Sequence, residues 1–90
     1  MLKLSDNETL LRIYYGNSEL GTAEISAMFG GGVARSTISA LKKKVLYGMA
    51  ERGIPQHRTG VVDTGTAFEV FGIDVVDIEK KYKKLKQLGV

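Results

Sequence analysis

The feature that most constrains this chain is one long helix whose limits are set at both ends. Ile38, Leu41, Val45 and Met49 recur at steps of three and four residues, the repeat that aligns side chains on one face of an α-helix. Upstream stands Gly30-Gly31-Gly32, and downstream stand Gly53 and Pro55, residues that a helix interior excludes. The pattern predicts a helix over residues 34–52. At roughly 100° per residue the apolar stripe takes less than a quarter turn. Ser36, Ser39, Ala40, Lys43, Lys44 and Tyr47 then occupy the opposite face, with Arg35 and Lys42 at its flanks.

A single apolar stripe needs other elements to cover it, and the rest of the chain supplies helical patterns of the same kind. Ser5 and Glu8 match a capping box, followed by Leu10, Leu11, Tyr14 and Tyr15 at helical spacing until Gly16. After a turn over 16–21, Thr22 reads as the N-cap of a short helix carrying Ile25, Met28 and Phe29, closed by Gly30 in a left-handed cap. A last helix over 74–88 carries Val75, Ile78, Tyr82 and Leu85. Its acids lie at the start and its lysines at the end, which suits the helix dipole. Asp77 with Lys81 and Glu79 with Lys83 fall at the supportive i,i+4 spacing.

The stretch 61–71 has two readings. Val61 and Val62, a turn at Asp63-Thr64-Gly65, and Phe68 and Val70 form a β-hairpin pattern. Thr66 and Glu69 also match a capping box, which makes 67–71 a helical turn ending at Gly72. The expected fold is mainly α: one domain over 1–90 of about four helices, with a helix-turn-helix core over 22–52 and the hairpin reading adding a short wing.

Composition narrows the function classes. Ninety residues, 43% of them hydrophobic, make one globular domain with a modest core, and chains of this size gain from oligomerisation. Without cysteine there is no disulfide, thiolate nucleophile or cysteine-bound metal. No apolar run approaches the ~20 residues that cross a bilayer, and the first residues do not form a signal peptide, so a cytoplasmic protein without a membrane segment is expected. The net charge is only +3, but six basic residues lie between Val33 and Arg58 against Glu51 alone, and five lysines without an acid follow from Lys80. Such blocks suit contact with a polyanion.

The run Glu24-Ile25-Ser26, a glycine turn, then Val33-Ala34-Arg35-Ser36-Thr37-Ile38-Ser39 resembles the bacterial helix-turn-helix and winged-helix transcription regulators. The likeness covers about 20 residues. It departs from the usual pattern in two places: the turn has three glycines rather than one, and Ala34 stands where a capping serine is usual, so that the cap is either lost or taken over by Ser36. The resemblance implies a homodimer that reads the major groove of double-stranded DNA with the helix starting near Ala34, without enzymatic activity, cofactor or metal. The implied DNA contacts are Arg35, Ser36, Thr37, Ser39, Ala40, Lys42, Lys43, Lys44 and Tyr47, with Arg58 at the wing entry; the adjacent His57 reads as an exposed loop residue. Physical chemistry favours the same residues. Small side chains allow close approach to a groove ~12 Å wide, arginine can bind guanine in bidentate fashion, and lysines reach phosphates as point charges. The apolar stripe Val75, Ile78, Tyr82 and Leu85 is the expected dimer interface.

Other readings carry less of the chain. The glycine run is either a phosphate-binding nest or a linker, and no lysine follows it as a nucleotide-binding loop requires. Val61-Val62-Asp63-Thr64-Gly65-Thr66 looks like the active-site strip of retroviral-type aspartic proteases, but helical patterns surround it and the second element of that family is missing. The alternative from another class is a protein-binding adaptor that uses a helix-turn-helix scaffold without reading DNA.

Overall fold

The computed structural model describes residues 3–89; Met1, Leu2 and Val90, the ends of the expected domain, lie outside the described residues. The fold is mainly α. In chain order it runs α1 (Asn7–Gly16), β1 (Glu19–Leu20), α2 (Thr22–Met28), α3 (Arg35–Glu51), β2 (Val62–Asp63), α4 (Thr64–Val70) and α5 (Val75–Gly89). The two short strands pair antiparallel, with Glu19 opposite Asp63 and Leu20 opposite Val62. They tie the segment after α1 to the segment after α3.

The apolar stripes read from the sequence meet in one core. Ile25 and Met28 of α2, Ile38, Val45 and Met49 of α3, Leu20 and Val62 of the strands, and Ala67 and Phe68 of α4 are all nearly inaccessible to solvent. Phe68 lies at its centre, edge-on to Tyr14 at 5.0 Å between ring centroids, a geometry favoured by the aromatic quadrupole. In α1 the buried side chains are Leu10 and Ile13, while Tyr15 is exposed.

Three local readings are corrected. Asp6, not Ser5, caps α1: its carboxylate accepts from Thr9 N–H at 3.0 Å. The Thr9 side chain, and then its backbone N–H, hold the carboxyl below its ordinary value of 3.8. Thr22 is the first residue of α2 rather than its cap. Gly21 takes the cap position, and Glu24 accepts from the Gly21 N–H at 2.9 Å. Finally, the turn over 16–21 contains β1, too short to show an alternating pattern.

The hairpin reading of 61–71 is also overturned. Val62 and Asp63 do form a strand, but their partner is β1, and the chain enters α4 at Thr64. Asp63 decides this. Its carboxylate accepts from the N–H of Thr66 at 2.9 Å and from the Thr66 hydroxyl at 2.7 Å, an N-cap that starts a helix where a hairpin would need a second strand. The helical alternative was right in kind but began three residues too late. Among the described residues no wing strand follows β2, and Phe68 is in the core instead.

The helix α5 packs against α1. Ile78 is 9% exposed and belongs to the domain's own core, and Val75 and Tyr82 are half-buried. Of the four residues expected to form a dimer interface, only Leu85 is left exposed; Ile78 is already covered within one chain.

Candidate nucleic-acid interface

The arrangement that presents α3 is built at the turn between α2 and α3. Gly30, Gly31 and Gly32 have φ of +86°, +82° and +65°, three consecutive left-handed residues that only glycine adopts without strain. The turn is pinned from two sides. Ser26 accepts from Gly31 N–H through its carbonyl at 2.8 Å and from Val33 N–H through its hydroxyl at 3.4 Å. Ser5, which precedes α1, donates its hydroxyl to the Ala27 carbonyl and accepts from Gly30 N–H at 2.9 Å. Ser26 thus serves the long turn with both its carbonyl and its hydroxyl.

Ala34 takes the N-cap position of α3 and offers no side-chain hydrogen bond; Ser36 lies inside the first turn and does not replace it. The first turn also lacks an acid. Among the described residues, neither a side-chain cap nor a first-turn acid offsets the positive end of its dipole.

Along α3 the observed burial follows the predicted stripe. Ile38, Val45 and Met49 are buried and Leu41 is half-buried. Ser36, Ala40, Lys43 and Tyr47 are exposed and, at helical spacing, form one outward line about 16 Å long. Ser39 and Lys44 are exposed to either side of it, and Arg35 is exposed in the first turn. Among the described residues no carboxylate lies within ion-pairing distance of Arg35, Lys43 or Lys44.

The remaining expected contacts are placed differently. Thr37 is half-buried on the flank of α3. Lys42 is half-buried and donates to the Thr22 hydroxyl at 2.8 Å, bridging α3 to the start of α2. Arg58 is not on α3 at all: it lies in the loop of residues 52–61, with its guanidinium 3.7 Å from the Glu19 carboxylate. His57 is exposed in the same loop and borders a small cavity with Glu19, Met49 and Asp63. Gln56 closes the loop by donating to the Val61 carbonyl at 3.1 Å. This loop, not the stretch 61–71, projects between α3 and β2.

Two features were not foreseen. Leu46, Tyr47 and Ala50 form a shallow apolar hollow with Lys43 on the far half of α3, where Tyr47 is 74% exposed. Gly48 lets α4 approach α3 closely: a Cβ there would stand 2.9 Å from Cγ2 of Val70. A lone glycine in a helical pattern was the only signal for this contact. Among the described residues no helix is long and apolar enough to cross a membrane, and no group of three or more His, Cys, Asp or Glu side chains is placed to hold a metal ion. Comparison with protein-family models, with curated proteins and with solved structures finds no match.

Proposed function

We propose that this protein binds double-stranded DNA, inserting the N-terminal half of α3 into the major groove, and that it acts as a transcription regulator in the cytoplasm. The observation that carries the reading is the outward line of α3: small at Ser36 and Ala40, basic at Lys43, and flanked by Arg35 and Lys44 without a neutralising carboxylate. Small residues let the helix backbone approach base edges, and unpaired cations remain available for the anionic duplex. The uncapped first turn of α3 adds positive potential at the end that enters the groove first. Arg35 is the candidate for base readout, Ser36 and Ser39 for shorter polar contacts, and Lys43 and Lys44 for phosphates. Lys42 acts through the α2–α3 angle, because its ammonium is held by Thr22.

Selection from random duplexes with the purified chain, repeated at two salt concentrations, tests the proposal. An enriched sequence motif whose affinity falls steeply with salt is the expected result. Salt-independent binding, or no enrichment, would remove it.

One observation favours the second reading, a protein-binding adaptor. The hollow at Leu46, Tyr47 and Ala50 is apolar and open, whereas a recognition helix contacts bases mainly through its N-terminal residues. Under that reading Tyr47→Asp abolishes activity while Arg35→Ala leaves it intact. DNA binding reverses the order of the two effects.

A further inference from the structure

We propose that Ser5 is a positioning residue for α3: through it, the segment before α1 straps the glycine turn to the body of the protein and fixes the angle at which α3 meets DNA. This role rests on the DNA-binding reading and needs no contact between Ser5 and the duplex.

The turn has little of its own to hold it. Gly30, Gly31 and Gly32 are exposed, and a Cβ at any of them would meet no neighbouring atom within 4 Å. Its local hydrogen bonds all run back to α2. Gly31 N–H donates to the Ser26 carbonyl at 2.8 Å, Gly30 N–H to the Ala27 carbonyl at 3.4 Å, and Val33 N–H to the Ser26 hydroxyl at 3.4 Å. The last two exceed the usual span of about 2.7–3.2 Å and are weak. Glycines without packing also have the most conformational freedom to lose.

Ser5 supplies an anchor from outside the turn. Its N–H donates to the Met28 carbonyl at 2.7 Å, its hydroxyl donates to the Ala27 carbonyl, and the same hydroxyl accepts from Gly30 N–H at 2.9 Å. One residue thus occupies two carbonyls in the last turn of α2, where a helix lacks intrahelical donors, and joins them to the first glycine. The strap is also fixed behind Ser5. The next residue, Asp6, caps α1, whose Leu10 and Ile13 lie in the core. Because Asp6 takes the cap, the Ser5 hydroxyl is available to the turn. At the start of α2, Lys42 of α3 is bonded to Thr22 at 2.8 Å. The short helix is therefore held at both ends, to α3 at one and to the body at the other.

Base readout and phosphate attraction depend differently on this hold. A base edge accepts a hydrogen bond only from a side chain in register, whereas phosphates attract lysines from many orientations. Releasing the turn lowers the fraction of molecules that present α3 in the reading orientation, and specific affinity falls with that fraction. Non-specific affinity does not.

Ser5→Ala in the full chain tests the role, with Asp63→Ala as a control that weakens the fold away from the turn. In the absence of DNA, amide hydrogen exchange followed by NMR should be about tenfold faster at Gly31 and Val33 in Ser5→Ala, although neither amide bonds to Ser5. It should be unchanged there in Asp63→Ala. On the duplex selected by the wild type, Ser5→Ala should bind about tenfold more weakly, with the same affinity for random duplexes and the same salt slope. Asp63→Ala should keep the wild-type ratio of specific to non-specific affinity. Wild-type protection of Gly31 and Val33 in Ser5→Ala would overturn the strap, whatever the DNA results. Faster exchange with an unchanged affinity ratio would overturn the positioning role, as would an equal fall of that ratio in Asp63→Ala. A wild type that prefers no sequence removes the DNA reading and the positioning role together, and is told apart because exchange still separates the two variants.

Discussion

Replacing Gly48 by alanine sets two known effects against each other, and the geometry decides which prevails. Gly48 is in the interior of α3, where alanine in place of glycine favours the helix by about 1 kcal/mol. The added Cβ, however, stands 2.9 Å from Cγ2 of Val70 and 3.3 Å from Cγ2 of Thr66, both on α4. Ordinary carbon–carbon contact is about 3.5–4.0 Å, so the helices must part by roughly 0.6–1 Å or a side chain must turn. Neither neighbour turns cheaply. Val70 is β-branched with a restricted χ1, and Thr66 is 3% exposed with its hydroxyl held by Asp63 at 2.7 Å. Overpacking of this kind costs about 1–3 kcal/mol. The net expectation is a change between about zero and a loss of about 2 kcal/mol, read from the urea midpoint by circular dichroism with an unchanged slope. Two controls isolate the terms. Ala50→Gly, at an exposed position of the same helix, should cost about 1 kcal/mol through propensity alone. In a Val70→Ala background, Gly48→Ala should become neutral or stabilising, since the closest atom is gone. A Gly48→Ala protein about 1 kcal/mol more stable than the wild type, as helix propensity alone gives, would refute the close-packing argument.

Four further outcomes are expected. Asp63→Ala removes the cap of α4 and should lower stability by about 0.5–2 kcal/mol, measured by thermal unfolding. Arg35→Ala should weaken binding to the selected duplex by about 1–3 kcal/mol and relax preference at one base position, measured by titration against single-base variants. Lys43→Ala should weaken all duplexes alike and lower the slope of log affinity against log salt by about one. The Asp6 carboxyl, held low by Thr9, binds its proton less readily in the folded chain than in the unfolded one. Its contribution is therefore complete above the ordinary value of 3.8 and lost as pH falls through the folded value, so Asp6→Ala should flatten the acid limb of the stability curve.

Residues that repeat were legible in the sequence, and residues that act once were not. The α3 stripe of Ile38, Val45 and Met49 and the exposed line opposite it follow from 3.6-residue periodicity, which a helix of 17 residues displays several times. The two-residue strands show no period and owe their position to a pairing between segments more than forty residues apart. At 61–71 the hairpin and helix patterns competed on equal local terms, and the Asp63 cap together with burial of Phe68 decided between them. On α5 the apolar spacing predicted a stripe correctly but not its division: Ile78 packs within the chain and Leu85 does not. Lys42 reads as a cation for DNA until its bond to Thr22 is seen, because a contact between two helices leaves no mark on the spacing of either.

The strand pair also governs how copies of this chain can go wrong. Each strand has two residues, with α2 following β1 after one residue and α4 following β2 directly. Templated growth of β-structure generally needs an exposed segment of about six residues, and neither strand offers one. The helices that cut the strands short thus act as stops against fibril-like addition.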